Sequence, residues 1–355
     1  MKRSKIGGIG YYVPDGIVTN QDLSEMMDTT DEWIQERTGI RERRYGVKHK
    51  ETTTTMGARA AEIAIQRAGI SKEEVDFIIF ATLSPDYYFP GCGVLVQREL
   101  GITGTEIGAL DIRNQCSGFV YGLSIADQFV KTGMYKNVLL IGAEMHSMGL
   151  DFSTRGRNVT VIFGDGAGAV IVQPTDDPKQ GILTTKLHSD GTFAEKLAFI
   201  NPGCHGGFHK ERLDEPVDYG YPPTKYGEMF ITQHMIETGQ YYPNMEGQFV
   251  FKMAVQKFPE VIMEALNDVG LQPSDIDMLV PHQANLRISQ FVQKKMGLRD
   301  DQVWNNIQKY GNTTAASVPI ALCEAYEAGK VKPGDLVCLA AFGSGFTWAS
   351  ALIRW

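Results

Sequence analysis

Hydrophobic and polar residues follow a pattern along the chain that predicts helices, each followed by a short buried strand. Residues 58–84 form one such unit, in which an amphipathic run ends at Gly69 and an apolar strand follows. Residues 261–284 repeat this order, with the break at Gly270. Glycine at such positions is typical of a helix C-terminus, and in both units an aspartate stands seven residues later. The chain therefore contains two copies of one helix–strand unit.

A second pair of matching segments lies downstream of these units. Gly133 follows Cys116 by 17 residues, and Gly329 follows Asn312 by the same 17 residues. Each of these glycines precedes a basic turn and then a β-rich strand. Two matches in the same order indicate an internal duplication, and they place Cys116 and Asn312 at equivalent helix starts.

The duplication also predicts a fold class. Alternating helices and strands indicate an α/β protein built in layers, with largely parallel strands. The strand in "VIVQPTDDPKQG" gives way to Pro, Asp and Gly near residue 173, which is typical of a boundary between units. We therefore divide the chain into an N-terminal half, residues 1–173, and a C-terminal half, residues 174–355. Equivalent elements meet at such a junction, where a cleft is expected.

Composition narrows the class of protein. The chain has 355 residues, 43% of them hydrophobic, and a net charge of −8, which argues against a nucleic-acid binder. Its five cysteines are scattered and form neither a disulfide framework nor a zinc motif. The N-terminus lacks the apolar stretch of a signal peptide, and no run approaches the ~18 apolar residues of a membrane span. We expect a cytoplasmic protein without a membrane segment.

Three short stretches carry candidate chemistry. Cys116 lies in "DIRNQCSGFVYGL", between a strand and a helix, where unpaired N–H groups lower a thiol pKa. His282 follows a buried strand in "LVPHQANLR", and Asn312 begins a helix in "YGNTTAASVP". Each has an ordinary alternative, namely a buried cysteine, a core histidine bonded to backbone and a helix N-cap. Because the duplication brings all three to one cleft, we interpret Cys116 as a nucleophile with two partners.

Two other motifs do not support a cofactor. The glycines of "FGDGAGAV", Phe163–Val170, run straight into a strand, whereas a dinucleotide-binding fingerprint opens a helix. "CHGGFH", Cys204–His209, has no second ligand pair at a metal-binding spacing. We therefore predict neither a dinucleotide nor a metal site.

Several motifs together resemble the β-ketoacyl–acyl carrier protein synthase III family of the thiolase superfamily. They are "DEWIQERTGIRERR", "CSGF", "IFGDGAGAV", "VPHQANLRI", "YGNTTAASVP" and "AFGSGFTWASALIRW". The resemblance implies a thiolase-like α/β fold, with duplicated βαβαβ halves in a layered α-β-α-β-α arrangement, and a homodimer. It also implies a catalytic set of Cys116, His282 and Asn312, with an oxyanion hole made by the backbone N–H groups of Cys116 and Ser344.

The resemblance implies a decarboxylative Claisen condensation that initiates fatty acid biosynthesis. A Cys116 thiolate takes an acyl group from acyl-CoA, and malonyl-acyl carrier protein then loses carbon dioxide. Neutral His282 and the amide of Asn312 hold the resulting enolate, which attacks the acyl-cysteine. No metal or redox cofactor is implied. Two alternatives are a relative that condenses two acyl thioesters or transfers the acyl group in secondary metabolism, and a non-catalytic acyl-thioester-binding protein.

Further positions carry over by motif. Phe89 matches the aromatic residue that gates the acyl pocket of the partner subunit. The residues matched to coenzyme A and its pantetheine arm are Trp33, Arg37, Arg157, Gln248, Phe251 and Ala284. Those matched to the docking surface for the carrier protein are Lys252, Arg287, Lys294 and Lys295.

The chain departs from the family pattern at three places. Gln248 stands where the family often has Asn, and Ser344 replaces a more usual Gly or Ala. An insertion at about 201–244 lengthens the spacing from Cys116 to His282 to 166 residues. Because the insertion is rich in Tyr, Met, Pro and His, we expect it to cover the active-site entrance or extend the acyl pocket. The alternative is an elaboration of the dimer edge.

Overall fold

A five-stranded sheet forms the first half of the molecule. The computed structural model describes residues 3–47, 50–102, 104, 106–203, 231 and 233–355. The strand order is β1-β7-β6-β4-β5, with β4 parallel to both β5 and β6 and with β7 antiparallel to β6 and β1. These strands are Arg3–Tyr12 (β1), Phe77–Ala81 (β4), Gly108–Ile112 (β5), Val138–Glu144 (β6) and Gly166–Thr175 (β7). A separate two-stranded antiparallel sheet pairs Gly16–Thr19 (β2) with Glu42–Tyr45 (β3).

A four-stranded sheet forms the second half and repeats the same topology. Its order is β11-β12-β13-β8, and only β11 and β12 run parallel. These strands are Gly181–Ser189 (β8), Met278–Pro281 (β11), Leu336–Gly343 (β12) and Thr347–Arg354 (β13), and the short strands Leu197–Ala198 (β9) and Asn244–Met245 (β10) pair apart from them. At the outer side of β11, a single parallel bridge joins Leu279 to Val303. This bridge stands where the first sheet has β5.

Helices pack on the sheets in layers. The described α-helices are Asn20–Ser24 (α1), Asp31–Thr38 (α2), Thr53–Ala68 (α3), Cys92–Glu99 (α4), Gly118–Thr132 (α5), Arg157–Thr160 (α6), Gln233–Glu237 (α7), Gly247–Asp268 (α8), Leu286–Met296 (α9), Ile307–Tyr310 (α10) and Ser317–Glu327 (α11). Residues of α5 and α11 share one apolar core with the inner faces of both sheets. α3 and α4 cover the outer face of the first sheet, and α8 and α9 cover that of the second. The predicted α-β-α-β-α arrangement is confirmed.

The expectation of largely parallel strands is wrong. In the two main sheets three neighbouring pairs are parallel and four are antiparallel. The antiparallel pairs come from the strands that open and close each half, β1 with β7 and β8 with β13. The paired residues of β1 and β7, and those of β8 and β13, are more than 150 positions apart in the chain. The helix–strand units that the sequence pattern reveals therefore account only for the parallel part.

Two further features bear on the class of protein. Within the described residues, no helix is long and apolar enough to cross a membrane. In the same part of the chain, no cluster of His, Cys, Asp and Glu side chains could hold a metal ion. The "CHGGFH" motif at 204–209, for which we predict no metal site, lies outside the described residues.

Candidate active site

One cavity of about 1650 Å³ brings the three predicted catalytic residues together. Cys116, His282 and Asn312 all line it. They reach it from different elements: the turn before α5, the end of β11 and the turn before α11. The cavity lies at the carboxyl ends of parallel strands, where α/β proteins commonly bind ligands.

Cys116 sits on a tight turn at the entrance to α5. The turn is the 3₁₀ segment Gln115–Ser117, and the Cys116 side chain is 7% exposed. The end of β12 approaches it closely, because a Cβ placed on Gly343 would lie 2.6 Å from the Cys116 sulfur. Glycine is therefore needed at this position, and it lets the Gly343–Ser344 backbone border the thiol.

The expectation that the helix start lowers the pKa of Cys116 is not met. Burial, aided by the negative charge of Glu144, raises the pKa of this thiol to about 12. The backbone N–H groups of Ser344 and of Cys116 itself act in the opposite direction, but they do not overcome burial. In the free protein Cys116 is thus a thiol at neutral pH, and it needs a proton acceptor when it reacts.

His282 directly follows β11 and continues its pairing with β12. Its N–H donates to the Ala340 carbonyl at 2.7 Å, and its Nδ1 atom lies 2.5 Å from the Ser317 hydroxyl oxygen. The opposite ring atom, Nε2, is buried without a hydrogen-bond partner in the described structure. Burial lowers the pKa of His282 to about 3, so the ring is neutral at physiological pH. A neutral ring with a free Nε2 can either accept a proton or donate a hydrogen bond.

Asn312 is held by its backbone between the two halves. Its N–H donates to the Ile162 carbonyl at 2.8 Å, and its carbonyl accepts from the Gly164 N–H at 3.1 Å. Its side-chain oxygen Oδ1 accepts from the Thr314 N–H at 2.8 Å. This bond identifies the oxygen, because only an acceptor fits an N–H group. The amide nitrogen Nδ2 therefore remains available as a donor.

The predicted equivalence of Cys116 with Asn312 needs a correction. Each half has a 3₁₀ turn before its central helix, and the first residues, Gln115 and Thr314, both have positive φ angles of 44° and 48°. This match pairs Cys116 with Ala315, three residues after Asn312. The equal distances from Cys116 to Gly133 and from Asn312 to Gly329 do not align the two halves correctly, because α5 has 15 residues and α11 has 11.

Two buried titratable side chains near the site are not anticipated by the sequence analysis. Glu144 ends β6 and accepts hydrogen bonds from the Leu83 N–H at 3.1 Å and the Ser84 hydroxyl at 2.6 Å. Burial raises its pKa to about 7. His146, two residues later, lines the cavity, and burial lowers its pKa to about 3. The sequence does carry a signal for them, since Glu144 is the last residue of an apolar strand and His146 stands two residues after it, near the carboxyl ends of the parallel strands.

All but one of the predicted coenzyme A residues line this cavity. Trp33 and Arg37 line it, and the Arg37 guanidinium lies 4.4 Å from the centre of the Trp33 ring. Arg157 does not line the cavity, but its guanidinium lies 5.0 Å from the same ring. The remaining lining residues among those predicted are Gln248, Phe251, Ala284 and Ser344.

Phe89 is not part of this cavity. It lies on the loop between β4 and α4 and is 80% exposed. The exposed Tyr88 stands beside it. Tyr87, Tyr88 and Phe89 together form an exposed aromatic stretch of this loop, and contiguous exposed apolar patches often mark contact surfaces.

The four predicted basic residues are exposed on the outer face of α8 and α9. Arg287 also reaches the cavity rim, where its guanidinium lies 5.5 Å from the centre of the Phe251 ring. Lys294 and Lys295 end α9, and Phe291 between them and Arg287 is 45% exposed. Lys252 borders a separate, smaller cavity.

Most of the insertion at about 201–244 lies outside the described residues, which resume at 231 and 233. Its described ends border the cavity through Pro202, Gly203, Tyr241 and Pro243. The side chain of Arg155 anchors the later end, because it donates to the Glu237 carbonyl at 3.1 Å. Whether the insertion selects the acyl chain stays a prediction.

Known proteins resemble the chain over nearly its whole length. Two family models match it: 3-oxoacyl-[acyl-carrier-protein] synthase III over residues 110–191 and the C-terminal part of the same enzyme over residues 266–355. The β-ketoacyl-[acyl-carrier-protein] synthase III of Sulfurimonas denitrificans is 43% identical over 97% of this chain and 96% of its own. That of Aquifex aeolicus is 42% identical over 99% of both chains.

Solved structures show the same relationship. The crystal structure of 3-oxoacyl-[acyl-carrier-protein] synthase III from Aquifex aeolicus matches with a TM-score of 0.84 and 41% identity, over 99% of this chain and 100% of that one. The priming β-ketosynthase of the R1128 polyketide pathway matches with a TM-score of 0.83 and 31% identity, over 99% of this chain and 96% of that one.

The duplicated, layered fold and these full-length matches define a condensing enzyme of the thiolase type. The chain belongs to the β-ketoacyl-[acyl-carrier-protein] synthase III family, and it is an acyltransferase. The family and the fold class inferred from the motifs are therefore confirmed.

Proposed function

We propose that this enzyme condenses an acyl-CoA with malonyl-acyl carrier protein, releases carbon dioxide and coenzyme A, and so initiates fatty acid biosynthesis. The observation that carries the proposal is the meeting of Cys116, His282 and Asn312 in one cavity that extends to Trp33 and Arg37. The cavity thus joins a reactive end to an end suited to a nucleotide. A cytoplasmic location fits these substrates.

The first half-reaction is transfer of the acyl group to Cys116. The sulfur attacks the thioester carbonyl, a new carbon–sulfur bond forms, and coenzyme A leaves as its thiol. His282 Nε2 lines the same cavity, is neutral and has no hydrogen-bond partner among the described residues, so it can accept the Cys116 proton and pass it to the leaving coenzyme A sulfur. The N–H groups of Cys116 and Ser344, which already act on the sulfur, hold the oxyanion.

The second half-reaction joins the malonyl group to the acyl-cysteine. The bond to the carboxylate breaks, carbon dioxide leaves, and its electron pair forms an enolate. Nε2 of His282 and Nδ2 of Asn312 donate hydrogen bonds to the enolate oxygen. The enolate carbon then attacks the acyl group, and the Cys116 sulfur is the leaving group. The sulfur leaves as a thiolate and takes up one proton from solvent, which restores the Cys116 thiol. No bond in this sequence requires a metal or a redox change.

The nucleotide end binds by stacking and charge. Trp33 offers an indole face for the adenine, and Arg37 and Arg157 place positive charge beside it for phosphate groups. The pantetheine arm then runs along Gln248, Phe251 and Ala284 towards Cys116.

The first sheet ends in an edge strand that suits a homodimer. Among the described strands β5 pairs only with β4, and Leu110 on this strand and Val94 on α4 are 38% and 46% exposed. A second copy that covers this edge would also cover Phe89, which would then reach the partner's acyl pocket. Within each subunit, residues 1–173 and 174–355 act as the two halves around the cavity.

The carrier protein docks on the basic face beside the cavity. Arg287, Lys294 and Lys295 on α9 and Lys252 on α8 are exposed, and Arg287 stands at the cavity rim. A local basic surface can attract an acidic partner although the enzyme has a net charge of −8, because salt screens charges beyond ~8–10 Å.

Product analysis tests the proposal. The enzyme is incubated with malonyl-acyl carrier protein and a panel of acyl-CoAs, and the products are identified by mass spectrometry. We expect β-ketoacyl-carrier protein and one carbon dioxide per product. Condensation of two acyl-CoAs without carbon dioxide, or transfer of the acyl group to a small nucleophile, would overturn it.

A further inference from the structure

His146 forms a buried hydrogen bond that the mechanism above does not use. Its Nε2 atom lies 2.7 Å from the Thr314 hydroxyl oxygen, and Thr314 is fully buried. The imidazole ring also packs on Phe163, with ring centres 4.6 Å apart. Because the ring is neutral, one of its nitrogens is a donor and the other an acceptor.

Thr314 has a backbone conformation that a β-branched residue rarely adopts. Its φ angle is +48°, in the left-handed region where such side chains are strained. The strain persists only where surrounding contacts hold the residue. Two contacts do so here: the hydroxyl bonds to His146, and the carbonyl of the next residue, Ala315, packs against Gly142 of β6, where a Cβ would lie 2.4 Å away.

This conformation aims the Thr314 N–H at Asn312. The N–H donates to Oδ1 of the Asn312 side chain at 2.8 Å. Since Oδ1 is engaged, the carboxamide is fixed with Nδ2 as its free donor. Phe163, on which His146 packs, also forms a parallel bridge with the Asn312 backbone. His146 is thus connected to Asn312 by two routes.

We infer that His146 and Thr314 form a positioning pair that orients the carboxamide of Asn312 towards the enolate. The inference rests on the proposed function, since it assigns Asn312 the role of enolate donor. Both residues line the cavity, but the role inferred for them is to hold Asn312 and not to contact a reacting atom. Its hydrogen bond holds the strained turn, the turn presents the N–H of Thr314, and that N–H holds Asn312.

The half-reactions separate this role from a general structural one. Thr314→Val keeps the branched shape and removes the hydroxyl, and His146→Leu removes the same bond from the other side. We expect each to slow decarboxylation of the malonyl thioester about tenfold or more, because one donor to the enolate is no longer held in place. Acylation by acyl-CoA should stay within about twofold of wild type, since Asn312 takes no part in it.

Two further variants and one control sharpen the result. Thr314→Ser restores a hydroxyl and should recover most of the lost decarboxylation. The double variant His146→Leu/Thr314→Val should be no slower than the slower single variant, because both changes remove one bond. Thr185→Val is the control, since it removes a similar hydroxyl pair, the 2.8 Å contact with Ser124 between β8 and α5, and neither residue lines the cavity; both half-reactions should stay unchanged.

Asn312→Ala shows whether a negative result contradicts the donor role of Asn312 or only the positioning role of His146 and Thr314. If Asn312→Ala decarboxylates normally, the proposed function of Asn312 is wrong. If Asn312→Ala is slow while Thr314→Val and His146→Leu match wild type, the positioning role is wrong. Equal losses of acylation and decarboxylation in both folded variants would also overturn it, because the pair would then shape the acyl pocket. Where Thr314→Val does not fold, His146→Leu decides alone.

Discussion

The Nδ1 atom of His282 lies 2.5 Å from the hydroxyl oxygen of Ser317, at the start of α11. A hydroxyl group can donate or accept, so Ser317 can stabilise either neutral tautomer of the ring. With a proton on Nδ1, the free Nε2 atom of His282 accepts a proton. With a proton on Nε2, the same atom donates a hydrogen bond. One contact therefore serves both half-reactions proposed above.

Ser317→Ala tests this relationship. Removal of the hydroxyl leaves Nδ1 buried without a partner, which costs about 1–3 kcal/mol and loosens the ring. We expect decarboxylation of the malonyl thioester to fall about tenfold, with a smaller loss in acylation. Ser350→Ala is the control, since it removes another buried serine hydroxyl, bonded to the Val261 carbonyl, from the opposite face of the second sheet. Unchanged decarboxylation in Ser317→Ala would show that Ser317 is not needed.

Asn312→Ala and His282→Ala separate the two half-reactions. Loss of one donor to the enolate should slow decarboxylation by about 10²–10³ in each variant. Acylation should be normal in Asn312→Ala. In His282→Ala it should persist but rise with pH, because the Cys116 thiol, with a pKa of about 12, then lacks its proton acceptor. Carbon dioxide release and acyl-enzyme formation are measured separately. Normal carbon dioxide release from Asn312→Ala would refute the donor role.

The sequence predicts the family, the layers and the cavity residues better than it predicts their chemistry. Motifs around Cys116, His282 and Asn312 are local, so they can be read directly from the chain. The pKa of Cys116 depends on burial beneath Gly343 and on the charge of Glu144, which come from distant segments. No local pattern reports such contacts, and for this reason the expected low pKa was wrong.

The predictions of strand direction and of the register between the two halves are wrong for a related reason. β1 pairs with β7 across more than 150 residues, so no helix–strand unit signals the pairing. The offset between the halves depends on the unequal lengths of α5 and α11, which alter the count from either glycine. Long-range register is a property of packing, and it must be read from the structure.

Cys116 is expected to be the acylated residue. Mass spectrometry after incubation with acyl-CoA should place one acyl group on Cys116, and Cys116→Ser should abolish condensation. The other described cysteines, Cys92, Cys323 and Cys338, are buried away from the cavity. Cys338→Ser is a matched control that should acylate normally. Stable acylation of any other cysteine would contradict the assignment.

Glu144 should make the stability of the enzyme depend on pH. Burial raises its pKa from 4.5 to about 7, so the folded state holds a proton that the unfolded state releases between these values. Stability from this group is full below about pH 4.5 and falls as pH rises to 7, by on the order of 1–3 kcal/mol. Glu144→Gln removes the effect. The Tm of the variant relative to wild type should therefore rise from pH 5 to pH 8.

The titration of Asp165 does not affect this comparison. Burial also raises its pKa, to about 6, but the group is present in both proteins and cancels in the comparison. A Tm difference that is constant across the pH range would mean that Glu144 is ionised in the folded protein, held by its hydrogen bonds from Leu83 and Ser84.

Arg287 should control association with the carrier protein. It is exposed at the cavity rim on α9, beside Lys294 and Lys295. Arg287→Glu reverses a charge at the centre of the proposed docking surface, so the apparent KM for malonyl-carrier protein should rise several-fold, mainly through slower association. The effect should shrink in high salt, because screening weakens the attraction that the variant removes. Acylation by acyl-CoA should stay nearly intact.

Two companion variants show whether the surface or the cavity is responsible. Lys294→Glu changes the same face without touching the cavity and should repeat the KM effect. Lys332→Glu makes the same charge change just before β12, whose other end approaches Cys116. It should change neither the KM for malonyl-carrier protein nor the KM for acyl-CoA. Arg287 packs on Phe251, which borders the cavity. If Arg287→Glu slows both half-reactions equally and Lys294→Glu slows neither, Arg287 supports the pantetheine channel, and the carrier protein docks elsewhere.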